Sequence, residues 1–298
     1  MTKETIRHFT YYLKRMFKFY DLKAQYVPQV LFVMLLLVTF GLRLAAQPVL
    51  VNMSIYQQQW TIAYLEGWNP SQTSNPSAFY ELVMKISTSE AYLKFLTELL
   101  KTSGILFIQQ VFLGLLLFFY QGAYLVDLET KTPAATQYFT KYFKAFPRFI
   151  GFNAIYYILL FVGFMILLTF LSYVMVILPI AFGLIPVAWF LLQVIFVFKD
   201  TPLLDTRVGI FRNFRLAWKL SSGNRVMIGV NTFFLESTAM MLFLLPIITI
   251  VQERTHITLT LFIVSFFEVI VLLIRQRLIA LMYFDRTRII REEEDAED

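Results

Sequence analysis

Four ionisable residues, Glu236, Glu268, Arg275 and Arg43, lie inside or at the edge of stretches that are otherwise uncharged. A charged side chain in the middle of an apolar layer costs roughly 2.5–3.5 kcal/mol on insertion scales, so each needs a partner or a task. Acids and bases along apolar helices could relay protons or hold a charged solute. Opposite charges on neighbouring helices could instead pair and lock those helices together. The spacing favours pairing. Glu236 lies eleven residues after Arg225, and Arg275 eleven residues before Arg286. On consecutive antiparallel helices both would sit about 16 Å from the same end. Glu268 and Arg43 make a second candidate pair in the outer half, which leaves Arg277 as a spare cation. The nearly equal number of acids and bases, with no ladder of acids, argues against a path.

Other chemistries find little support. The only histidines, His8 and His256, fall on opposite sides of the topology derived below, and the chain has no cysteine. Neither a histidine metal site nor thiolate chemistry can then be assembled. No Walker phosphate loop, GxSxG elbow or HExxH motif occurs. We expect no metal, no cofactor and no enzyme. Gln109, Gln110, Asn153, Gln193 and Asn231 read as hydrogen-bonding glue between helices. The net charge of +6 is carried by residues that border apolar stretches rather than by a basic domain. Anionic lipid headgroups explain it better than nucleic acid.

The elements that would position these residues are membrane spans. Between Arg148 and Lys199 run fifty residues without a charge, about 75 Å of helix and enough for two spans of roughly 20 residues each. The chain is 58% hydrophobic with 32 phenylalanines, and its mean hydropathy is +0.64. Span one is expected near 24–42 and span two near 104–126. Spans three and four share 149–198, turning near 172–173; span five covers about 226–251, and span six begins near 257. Segments 1–27, 126–148, 199–225 and 284–298 hold 6, 4, 6 and 3 Lys and Arg, against 3 and 1 in 47–103 and 251–257. The positive-inside bias then puts both termini in the cytoplasm, with six spans between them. The fold class is all-α: a multi-pass protein of the cell membrane. Residues 1–23 are too long and patterned for a signal n-region, so span one should persist.

A basic, aromatic segment precedes each odd span. The first places Phe9, Tyr12, Leu13, Met16, Phe17 and Tyr20 on one stripe. The second places Tyr138, Phe139, Tyr142, Phe143 and Phe146 so, and the third Ile210, Phe211, Phe214, Ala217 and Trp218. Spacings of three and four define amphipathic helices suited to a membrane interface. Thr132-Pro133 and Thr201-Pro202 supply matching helix starts, a Thr cap and then Pro at the first position. Gly223 reads as a C-cap. A threefold repeat of interfacial helix, outgoing span and returning span follows, within a single transmembrane domain over residues 1–298. Residues 47–103 form an extracytoplasmic insertion, with a loop at 67–77 and two short amphipathic helices. The second helix is signalled by a capping box, Ser87 with Glu90. Residues 284–298 form an acidic cytoplasmic tail whose end, Glu292–Asp298, reads as solvated and disordered. Pro179 and Pro186 would kink span four.

Two stretches resemble a known group. Ala217-Trp218-Lys219-Leu220-Ser221-Ser222-Gly223-Asn224-Arg225 is similar to the segment before the fifth span in six-helix bacterial membrane proteins of the DUF975/YciC type. These are related to the membrane domain of some glycerophosphodiester phosphodiesterases. The ending Ala280-Leu281-Met282-Tyr283-Phe284-Asp285-Arg286-Thr287-Arg288 resembles that group's closing segment. The resemblance covers most of 130–291 and implies a six-helix fold, with no catalytic or ligand residues to carry over. The expected function is a non-catalytic scaffold, assembly or lipid-associated accessory factor of the cell envelope. Its partners would be anionic lipid headgroups and other membrane proteins. A transporter or ABC-type permease subunit is the alternative, with an ATPase subunit meeting a coupling helix at 202–220.

Overall fold

The computed structural model describes residues 6–24, 26–67, 77, 81, 84–85, 88–130, 135–172, 178–205, 208–241 and 256–297, and no strand occurs among them. In chain order the helices are α1 Phe9–Met16, α2 Tyr26–Gly67, α3 Glu90–Glu129, α4 Ala135–Ser172, α5 Leu178–Ile195, α6 Thr201–Asp205, α7 Ile210–Ser221, α8 Arg225–Ala239 and α9 Ile257–Glu297. Four stretches among the described residues are long and apolar enough to cross a membrane: Tyr26–Ala63, Glu90–Glu129, Thr136–Gly163 and Ile257–Thr287. They coincide with expected spans one, two, three and six. The expected fourth span overlaps α5 and the first part of the fifth is α8. Tyr173, at the expected turn, and residues 242–251 of span five lie outside the described residues.

Helices outrun the spans. α2 does not stop at Leu42 but passes through Pro48 to Gly67. Hydropathy marks where apolar residues end, whereas a helix ends only where caps or breakers end it. α3 begins at Glu90, where the second short outside helix was expected, but runs on into span two as one helix. Gly104 alone disfavours helix by about 1 kcal/mol, too little to end a packed one. The expected cap Ser87 lies outside the described residues. Ser89 caps instead, its Oγ accepting the Tyr92 N–H at 3.3 Å. Most of the 67–77 loop and of the first short helix also falls outside them.

The interfacial segments differ among themselves. α1 is a separate helix. The second segment is continuous with span three through Pro147, and Thr132-Pro133 lies outside the described residues. The third divides into the short α6, starting at Thr201, and α7. Gly223 has φ +80°, the left-handed conformation that lets the chain turn from α7 into α8. The acidic end, expected to be disordered, continues α9 to Glu297. Its Arg, Glu and Ala residues are good helix formers, and extending an existing helix avoids the nucleation barrier.

Contacts divide the chain into two compact units. The first comprises Met1–Val33, Leu116–Thr249 and Phe267–Asp298; the second comprises Met34–Leu115 and Ile250–Phe266. The first is built on aromatic packing, with Phe118 stacked on Phe149 at 4.0 Å and Phe152 against Phe214 at 4.4 Å. Tyr12, Tyr138 and Phe198 are completely buried in it. In the second, Trp60 meets Tyr92 and Phe95, each at 5.9 Å, and Phe40 meets Phe262 at 5.5 Å. Leu65, Leu100 and Phe107 stay well exposed there.

Candidate functional site

Glu236 on α8 and Arg275 on α9 meet in the first unit. Arg275 Nη2 lies 3.5 Å from Glu236 Oε1 and donates to Gln193 Oε1 on α5 at 2.9 Å. One guanidinium thus ties three helices together. The contact is long for an ion pair, and the side chains remain 28% and 41% exposed. Arg43 stands on α2 in the second unit and Glu268 on α9 in the first. Both are half-buried, and neither is without a partner. Arg277 is not the spare cation its position suggested. It is 6% exposed, donates through Nη1 to the carbonyl oxygens of Lys18 and Asp21, and lies 4.4 Å from the Tyr124 ring centre. Carbonyls left over beyond the end of α1 give a guanidinium good acceptors.

The densest polar chemistry of the first unit lies at helix ends, around three aspartates. Asp285, near the end of span six, accepts the Tyr12 hydroxyl at 2.9 Å, and that oxygen accepts the Arg7 N–H at 3.1 Å. Asn231 donates to the Arg7 carbonyl at 3.0 Å, and the Ile6 N–H to Asn224 Oδ1 at 3.3 Å. The N-terminal segment is thereby fixed to α8 and α9. Burial, reinforced by the Asp285 carboxylate, pushes the Tyr12 hydroxyl well above its ordinary pKa, so it stays a donor at neutral pH.

Asp127, near the end of α3, repeats the arrangement. Its Oδ1 accepts the Tyr138 hydroxyl at 2.5 Å and its Oδ2 the Lys23 N–H at 2.8 Å. The Lys23 ammonium donates to the Asp127 carbonyl at 2.7 Å and to that of Thr130. A cation over the last carbonyls of a helix is favoured by the helix dipole. Tyr120 donates to the Phe19 carbonyl at 2.8 Å, so residues 18–23 are held from both α3 and α9.

Asp200, just before α6, is the third. It accepts Asn153 Nδ2 at 3.0 Å and the Lys199 ammonium at 2.6 Å. Lys199 also donates to Asn153 Oδ1 at 2.6 Å and lies 5.2 Å from the Tyr156 ring centre. Asn213, fully buried on α7, donates to the Lys199 carbonyl at 2.7 Å. Gln121 of α3 donates to Thr201 Oγ at 2.7 Å. Asn153 and Asn231, read from sequence as interhelical glue, both bond between segments.

No family model matches the chain, and neither a curated protein nor a solved structure matches it. Geometry therefore has to carry the functional conclusion. Each aspartate is met by hydroxyl, amide, ammonium or backbone donors, and among the described residues none is shown paired with a second carboxylate as a general acid and base would be. Among the described residues no group of three or more His, Asp or Glu could hold a metal. An open groove of about 280 Å³ in the second unit is lined by Leu37, Val38, Gly41, Leu42 and Phe112, with no polar side chain to orient a substrate. Sequence reading missed the three aspartates as a set. The available signal was an Asp at the end of each expected returning span, at Val126-Asp127, Lys199-Asp200 and Phe284-Asp285.

Proposed function

We propose that this chain is a non-catalytic integral membrane protein of the cell envelope, with six spans and cytoplasmic termini, acting as a scaffold, assembly or lipid-associated accessory factor. The observation that carries this is how the polar groups of the first unit are used. Asp127, Asp200 and Asp285 bind helix-end and interfacial donors, and the deep Arg275 is engaged by Glu236 and Gln193. Among the described residues, these charges are committed to holding helices together rather than left for a reaction or relay. The Lys and Arg bias supports the topology, and α5 and α8 supply the fourth and fifth spans. The resemblance to DUF975/YciC-type proteins agrees with a six-helix membrane protein.

One observation favours the permease alternative: α7 is a short, separate amphipathic helix joined to the next span by the Gly223 turn, as a coupling helix for an ATPase would be. Its exposed Phe211 and Trp218 suit lipid better. Purification of the full chain in mild detergent separates the two. We expect envelope proteins or lipid to accompany it and no ATPase subunit; stoichiometric recovery of an ATPase whose hydrolysis the chain stimulates would overturn the proposal.

A further inference from the structure

The three aspartate junctions fix a common register for the interfacial helices. Tyr12 bonds to Asp285 and Tyr138 to Asp127, while Asn213 bonds to the carbonyl beside Asp200. Aligned on these buried residues, each segment carries an aromatic five positions later, Phe17, Phe143 and Trp218, and a lysine directly after it, Lys18, Lys144 and Lys219. In α4 and α7, turning about 100° per residue, five positions place the aromatic about 140° round from the buried anchor and six place the lysine about 240° round, one on each flank of the opposite face. α1 ends at Met16, so Lys18 lies just beyond that helix. Phe17, at the end of α1, keeps helical dihedrals, φ −69° and ψ −14°. The exposures agree: Tyr12, Tyr138 and Asn213 are 0–1% accessible, whereas Phe17, Phe143 and Trp218 are 41%, 64% and 48% accessible. All three lysines are exposed.

We propose that these aromatic–lysine doublets are three equivalent sites for the headgroups of anionic phospholipid in one leaflet. This rests on the membrane reading above and adds the lipid class and the residues that bind it. The ring lies among the glycerol and upper acyl groups while the ammonium takes the phosphate. Charge complementarity selects the occupant: each exposed ring is followed by a cation, and at the third site Arg225 adds a second, 4.1 Å from the Trp218 ring centre. The aspartate junction fixes each helix about its axis, so the doublet cannot roll away from the interface.

The test uses the purified full chain, titrated with phosphatidylglycerol or phosphatidylcholine in neutral detergent, with bound lipid counted by native mass spectrometry. The chain should retain three more molecules of phosphatidylglycerol than of phosphatidylcholine. Lys18→Gln, Lys144→Gln and Lys219→Gln should each weaken one site about five-fold and leave the other two. The triple variant should lose the preference with an unchanged melting temperature, and Lys→Arg replacements should keep it. Arg212→Gln, on α7 outside the doublet, should have no effect. If Arg212→Gln removes as much lipid as Lys219→Gln, or one lysine accounts for the whole preference, the three-site proposal fails. Loss of the lipid preference leaves the scaffold reading standing, whereas an ATPase in the purified material overturns that reading and not the lipid sites.

Discussion

At the helix ends of the first unit, side-chain and backbone donors reach Asp127, Asp200 and Asp285 at 2.5–3.0 Å. In the last turn of α8 and midway along α9, Glu236 and Arg275 approach only to 3.5 Å and stay partly exposed. The residue types are similar and the consequences differ. Asp127 and Asp285 accept buried tyrosine hydroxyls and Asp200 a buried amide, and removing such an acceptor leaves a desolvated donor. Arg275 would keep Gln193 if Glu236 were neutralised. Burial and the alternatives open to each partner, rather than formal charge, decide which polar contact holds this fold.

Three substitutions test that difference, in order of expected effect. Asp127→Ala should be the most damaging, lowering stability by about 2 kcal/mol, since it strands the buried Tyr138 hydroxyl, whereas the exposed Lys23 N–H can turn to water. Thermal unfolding in detergent measures it, and Asp127→Asn should recover part because its amide oxygen can still accept. An unchanged melting temperature would show that the junction bears little load.

Tyr12→Phe comes next, at about 1 kcal/mol, since it removes one hydroxyl and keeps the packed ring. Its signature is a pH dependence. The folded-state pKa is raised above the ordinary 10.0, so the unfolded chain ionises first. The stabilisation is complete below pH 10 and is lost as pH rises through the higher folded value. Above pH 10 the native chain should lose stability more steeply than Tyr12→Phe; parallel curves would remove Tyr12 from the account.

The smallest effect belongs to the Glu236–Arg275 pair. Glu236→Gln, which leaves Arg275 its Gln193 partner, should destabilise by less than about 1 kcal/mol, and the double variant with Arg275→Gln by less than the sum of the two single ones, because two amides can still hydrogen-bond. Strict additivity would show that the pair is not coupled. Full stability of both single variants, with each abolishing a proton-linked transport, would replace the structural role by a functional one.

Matching eleven-residue depths were enough to bring Glu236 and Arg275 together on paper, because helical rise is the same in every sequence. The amphipathic faces were legible for the same reason. Tyr12 and Tyr138 were not legible as anchors: an aromatic stripe looks alike whether it faces lipid or a buried carboxylate. Asp127, Asp200 and Asp285 looked like ordinary charges at span boundaries, since their partners are up to 273 residues away. Helix length was the other blind spot. Nothing in the hydropathy of residues 43–67 tells a helix that stops at Leu42 from one that continues to Gly67.

The central claim, that the three basic aromatic segments and both termini share one side of the membrane, is tested most directly by single-cysteine labelling, which the absence of native cysteine permits. In intact cells a cysteine at Thr73 should react with an impermeant thiol reagent. Cysteines at Thr136, Thr206 and Asp295 should react only after permeabilisation. Reaction at Thr206 from outside would place the third segment on the opposite face and contradict both the six-span topology and the threefold arrangement built on it.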